Sequence, residues 1–435
     1  MLVLLVVGLA IGGGIGYFAT PVKIETKETI KEVTVQVNPL KGKTIEIGVT
    51  ASNTAGLEPL VPLINEILVP DLKKYVDSLG VGVNFKFLID DCGGAASVAL
   101  EKTQAFNAKG VNLIVGHAGS SYSMATLAYC NQNGMVQISG SSSSPLLSIP
   151  NDNFFRLCPT DFVQAPALVE MWRSWGVKGV ITIHSGDTWG DGLWNLVVNE
   201  FPKKGIENLG EVRYAPEVKE FSSYLNTMND IVTKAIEKYG GRQYVGLMFF
   251  SSSEWRIIES QAKDYPNLIN LVWFATEGRG RDVTGLKEIP DLCIITHNFS
   301  PMMGVDEGSY EFMSVDNRYF TRLGYRINFY GACQYDAAWL YVKTILQTGS
   351  SKTADIKNSL IPVSAKQHGI TGWLALDDKG DRLPQLFDIW GFYKDSTGTA
   401  TFQKWGSYDG RVIQIKWDDV ALLRDAGITR PAIAK

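Results

Sequence analysis

From Thr44 onward, short uninterrupted apolar runs alternate with longer stretches in which apolar residues recur at helical spacing. The runs at residues 45–50, 85–89, 113–115, 136–139, 180–184, 244–250, 271–275 and 293–296 read as strands. Continuous Val, Ile, Leu and Phe is what a strand covered on both faces requires, whereas a half-exposed strand alternates. Residues 97–108, 161–174, 192–201 and 221–238 carry the helical period. Strands and helices taking turns along a chain predict an α/β fold with parallel-sheet cores. At 435 residues the chain exceeds the size at which one core keeps growing, so two lobes are expected.

The N-terminus follows a different pattern. Residues 2–19 hold no charge, and a helix of that length spans roughly 27 Å, close to a bilayer core. An uncleaved transmembrane anchor (1–19) is expected, with a signal peptide as the competing reading; a basic n-region and a lipid-attachment cysteine are both missing. Lys23, Lys27 and Lys31 then oppose an outward body under the positive-inside rule, and the nearby Glu25, Glu28 and Glu32 do little to offset them. Residues 20–43 are polar and β-branched without a large apolar face, which reads as a stalk.

Most of the strands run into small-residue loops: HAGSS, SGSSSSP, HSGDTWGDG, SSSEW and TEGRGRD. In open α/β sheets ligands bind where such loops gather at the carboxyl ends of the strands. The loops supply neutral hydroxyl and amide donors, acids (Glu277, Asp187, Asp191, Glu254) and aromatic faces (Trp189, Phe162, Trp255). Serines and amides suit a carboxylate, a glutamate suits an ammonium, and an indole covers apolar area, so the set can hold a zwitterion without reacting with it. Catalysis finds little support. Gly140 opens four serines with no closing glycine, so there is no nucleophile elbow. Nothing specifies His117 or His184 as a base for Ser120, and Val37 stands where a phosphate-binding loop ending in Gly42, Lys43 and Thr44 needs glycine. Five widely spaced cysteines and four scattered histidines offer no zinc spacing, so no metal or cofactor is expected. Cys92 and Cys130 are a reasonable disulfide pair, although spacing does not fix connectivity. A net charge of −4 implies no nucleic-acid face. Asn298, Phe299 and Ser300 form a glycosylation sequon followed by Pro301.

The stretches IGVTASNTAG, FLIDDCGGAASVALEKTQAFNAKGVNLIVGHAGSS, VQISGSSSSPLLS, IHSGDTWGDGLW and FATEG, followed by YDAAW and WLALDDKGD, occur in this order over residues 44–400. In order and spacing the chain resembles the branched-chain amino-acid binding proteins of ABC importers, of the periplasmic-binding-protein type I family. The resemblance implies two Rossmann-like lobes joined by three crossovers: 44–162 with 297–380, and 163–296 with 381–435. It implies that Ser120 and Ser121, and Ser141, Ser142 and Ser143 in the next loop, hold the ligand carboxylate and help hold its amino group. It places Glu277 at the ammonium-binding acid, Trp189 where an aromatic covers the ligand, and Ser253 near another second-lobe contact. The chain departs from the pattern in the first loop, ASNTAGLE, which leaves the contacts near Asn53 open, and at Gly119, where some members have the cysteine partner of Cys92. The implied activity is capture of an amino acid outside the cytoplasm, at the cell membrane, for delivery to an ABC permease and its separate ATPase. A surface structural protein, self-assembling through its N-terminal helix, and a sensory receptor are the alternatives.

Overall fold

The computed structural model describes residues 38–277, 279–383 and 386–418. The expected N-terminal anchor and most of the expected stalk lie outside them, and no described helix is long and apolar enough to cross a membrane. In chain order the first part contains β1 (Thr44–Ala51), α1 (Thr54–Pro62), a π-helical turn (Leu63–Leu68), α2 (Val69–Leu79), β2 (Asn84–Asp91), α3 (Ala96–Ala108), β3 (Leu113–Val115), α4 (Ser120–Asn133), β4 (Val136–Ser139) and β5 (Phe154–Arg156). Its five strands form one parallel sheet in the order β2-β1-β3-β4-β5. Parallel neighbours need a crossover helix covering a sheet face, and the strand residues from Leu113 to Val115 and from Val136 to Ser139 are buried accordingly. At Gly48 a Cβ would sit 3.0 Å from the Phe106 ring, so glycine lets α3 press onto β1.

The second part runs α5 (Asp161–Ser174), β6 (Gly179–Ser185), α6 (Thr188–Glu200), β7 (Glu207–Tyr214), α7 (Ser222–Tyr239), β8 (Val245–Phe250), α8 (Trp255–Ala262), α9 (Pro266–Ile269), β9 (Trp273–Ala275), α10 (Val283–Glu288), α11 (Pro290–Thr296) and β10 (Ser300–Met303). Its parallel sheet has the order β7-β6-β8-β9. Trp172 of α5 stacks on Phe274 at 3.8 Å and lies over Gly246, where a Cβ would come within 2.5 Å of the indole. The chain then returns to the first core with α12 (Tyr310–Leu323), α13 (Phe329–Thr348), α14 (Thr353–Ser364) and the short hairpin β11 (His368–Gly369) and β12 (Gly372–Trp373). Tyr341 of α13 is fully buried, its hydroxyl donating to the carbonyls of Ile114 and Val136. Last come β13 (Leu386–Lys394), β14 (Ala400–Asp409) and β15 (Gln414–Trp417), which pair antiparallel beside β10. The apolar clusters record the same itinerary. One gathers residues 40–158 and 302–376, while the others in the second core gather residues 165–299 and 387–417.

Two sequence expectations are corrected. Residues 293–296 are helical, in α11, where Pro290 at the first turn starts a helix too short for its period to show. Cys92 and Cys130 do not pair: all five cysteines are free and buried. Cys92 Sγ lies 3.4 Å from His117 Nδ1 after β2, whereas Cys130 on α4 accepts from Gln137 Nε2 at 3.0 Å. The sequon asparagine, Asn298, is fully buried and bonded to Glu259, so it offers nothing to a glycosylation enzyme in the folded chain.

Candidate functional site

The loops after β3 and β4 form one rigid serine platform. Ser139 Oγ donates to the carbonyl of His117 at 2.7 Å and accepts from the amides of Ser141 and Ser142. Ser142 is fully buried, its hydroxyl engaged with Ser123, Ser139 and the carbonyl of His117. Ser120, at the first turn of α4, accepts from the amide of Ser144 at 3.1 Å. Arg156 Nη1 holds the carbonyls of Ser142 and Ser144, both at 2.8 Å, while its Nε pairs with Asp381 at 2.6 Å in a buried ion pair. Beneath the platform His117 meets Thr50 and Cys92 through Nδ1 and Thr103 through Nε2; neither ring nitrogen reaches Ser120. With no charged partner in this dry site, burial pushes its imidazole down to about 4.

The facing wall comes from the second core. Asp187 caps α6, accepting from the amides of Trp189 and Gly190 at 2.9 and 2.8 Å, which sets the half-buried Trp189 at the start of the helix. The two walls touch where Ser144 Oγ donates to the carbonyl of Thr188 at 2.9 Å. Close by stand two buried acids. Gln164 joins them, donating to Asp161 Oδ1 at 2.9 Å and accepting from the amide of Glu277 at 2.9 Å. Tyr330 of α13, in the first core, donates to Glu277 Oε2 at 3.2 Å, so this acid is held from both cores. Asp161 Oδ2 and Glu277 Oε1 are buried without a hydrogen-bond partner. Burial drives the Asp161 carboxyl up to about 7 against the pull of Ser143, Arg156, Gln164 and Trp189. Burial and the charge of Asp161 drive Glu277 up to about 8. Near neutrality two carboxyls so displaced hold protons, and giving those protons up calls for a cation beside them.

Of the residues expected from the sequence, Ser143, Trp189 and Glu277 come together around Asp161, with Ser120 bonded to the amide of Ser144 and Ser121 and Ser141 half-buried on the platform. Ser142 is turned inward, and Ser253 is exposed beyond the end of β8. Among the other acids and aromatics considered, Asp191 pairs with Arg213, Trp255 is core, and Phe162 is 50% exposed. Asp161, Gln164 and Tyr330 were not anticipated. An aspartate opening a helix ordinarily serves the helix dipole, and a tyrosine inside a helical run ordinarily packs; only the buried juxtaposition with Glu277 gives them another meaning. Among the described residues no group of His, Cys, Asp and Glu could hold a metal ion.

Known proteins share this architecture. The chain is 26% identical over 404 residues to the uncharacterized protein MJ1266 of Methanocaldococcus jannaschii, covering 88% of this chain and 94% of that one. The ABC transporter substrate-binding protein of Desulfitobacterium hafniense in complex with Leu superposes with a TM-score of 0.64 at 18% identity, covering 83% of this chain and all of that one. The solute-binding protein of an ABC transporter from Rhodopseudomonas palustris, in complex with 3,4-dihydroxybenzoic acid, superposes with a TM-score of 0.67 at 15% identity over 87% of this chain and 99% of that one. Residues 75–395 match the receptor family ligand binding region. With most of its length in that match, the chain belongs to this family, the type I periplasmic binding proteins.

Proposed function

We propose that the chain is an extracytoplasmic solute-binding protein that captures an α-amino acid between its two lobes and delivers it to an ABC permease with a separate ATPase. The observation that carries this reading is the pair of buried acids, Asp161 and Glu277, each with an unpartnered oxygen, set close to a platform of neutral serine donors. A zwitterion satisfies both sides. Its carboxylate goes to the hydroxyls of Ser120, Ser121, Ser141 and Ser143 and to the free amides at the start of α4, where the helix dipole favours an anion. Its ammonium goes between Asp161 and Glu277, with Trp189 as the cover. Ser142 serves by locking the platform, and Ser253 meets the ligand at the rim. Docking on the platform and then closure of the second lobe is the motion such an arrangement supports. In the closed, dry cleft each charge-assisted hydrogen bond contributes about 1.5 to 3 kcal/mol.

The test is a thermal-shift screen of the purified full chain against amino acids, benzoates, amides and urea, followed by calorimetry on each hit. An α-amino acid is expected to bind, and Glu277→Gln to weaken it by roughly one to two orders of magnitude. Unchanged affinity in that variant overturns the assignment. A chain that binds no solute at all transfers weight to a structural role for this fold at the cell surface.

A further inference from the structure

Next to the proposed ammonium site, across Arg279, stands a second polar group. Glu254 stands at the N-cap position of α8 without a capping bond, is 9% exposed, and its Oε2 is buried with no hydrogen-bond partner. Around it stand Tyr214, 1% exposed at the end of β7, and Ser251, fully buried at the end of β8, whose hydroxyls have no partner but each other. From the first core Tyr122 of α4 comes within electrostatic range of Glu254 and of Asp187, so the group faces across the cleft. Arg279 ties the two regions together, within range of Glu277 on one side and Tyr214 on the other, with its Nε on the carbonyl of Ser251 at 3.0 Å.

The charges do not balance. Asp187 is spent on the cap of α6 and the hydroxyl of Ser185. Asp161, Glu277 and Glu254 remain as acceptors, against Arg279 and, in range of Asp161, Arg156, which is already paired with Asp381. The ligand carboxylate is served by neutral donors and needs no part of that negative charge. A leucine-like tail beside Glu254 would leave a buried carboxylate desolvated and unpaired, which costs more than the apolar contact returns. We propose that the ligand's side chain ends in a cationic N–H group received by Glu254, with Tyr214 and Ser251 as neutral partners, so that the substrate class is the basic amino acids. This rests on the amino-acid reading above and narrows it.

Calorimetry of the purified full chain with L-lysine, L-arginine, L-leucine and L-glutamate tests it. Lysine or arginine is expected to bind at least tenfold tighter than leucine. If leucine or glutamate binds as tightly as either basic amino acid, or tighter, this inference fails while amino-acid capture stands. If none of the four binds, both readings fail. Glu254→Gln is expected to weaken lysine or arginine at least tenfold and to collapse the preference over leucine; an unchanged preference overturns the proposal. Because the buried Oε2 has no partner to lose, the unliganded variant is expected to unfold at or above the midpoint of the parent chain. A lower midpoint assigns Glu254 a structural role and overturns the proposal as well.

Discussion

Asp161 and Glu277 titrate near neutrality, at about 7 and about 8, and both lie above the ordinary carboxylate range. Between pH 5 and 8 the folded, unliganded chain therefore binds more protons at this pair than the unfolded chain does. Its contribution to stability falls as pH rises through that window. An ammonium ligand displaces protons held by these two acids, so affinity for an α-amino acid is expected to rise from pH 6 to pH 8. Calorimetry in buffers of different ionisation enthalpy should show proton release at pH 7; uptake would contradict the geometry. His117 acts in the opposite sense. Its pKa falls from 6.5 to about 4 on burial, so stability is lost as pH drops from about 6.5 to 4, on the order of 3 kcal/mol in all. His117→Gln is expected to flatten that acid limb relative to the parent chain in urea titrations at pH 4.5 and 6.5. Glu277 was marked as a candidate by its loop motif. Asp161 was not, because what sets it apart is a tertiary neighbour more than a hundred positions away, joined to it through Gln164.

At the scale of elements, the central parallel strands were legible because sheets covered on both faces demand unbroken apolar runs, and β3 and β4 coincide with theirs. The antiparallel strands β13 to β15 were not. They mix polar, aromatic and glycine residues, as in LFDIWGFYK, because only one face packs inward and β13 carries an irregular register at Ile389 and Trp390. The residues 293–296 misled for the complementary reason, since a seven-residue helix that buries only Cys293 and Thr296 shows the same short apolar run as a buried strand. The serine platform depends on an element contact that no local pattern announces: Arg156 at the end of β5 reaches Asp381, well over two hundred residues later, while gripping the platform carbonyls. Breaking one partner of a buried pair leaves the other charge stranded. Arg156→Leu is thus expected to lower unfolding free energy by about 3 to 5 kcal/mol in urea denaturation, and to weaken amino-acid binding through a loosened platform.

For the whole molecule, the decisive contact is the meeting of the two cores at Ser144, Pro145 and the start of α6. A Cβ at Gly192 would come within 3.0 Å of Ser144 Oγ and 3.1 Å of Pro145. Gly192→Val is accordingly expected to prop the cleft open, lowering ligand affinity at least tenfold and raising the radius of gyration in small-angle scattering with ligand present. Scattering identical to that of the parent chain would contradict this. The itinerary of the chain between the cores has a consequence for biosynthesis. Tyr341, which plugs the first sheet at Ile114 and Val136, emerges from the ribosome only after the bulk of the second core, and β13 to β15, which complete the second sheet system, emerge later still. Neither core can finish on the ribosome while its closing pieces are unmade, and these contacts of long sequence separation are slow to form. Nearly the whole polypeptide must exist before any of it locks, which leaves a long interval in which a nascent chain remains threadable through a translocation pore.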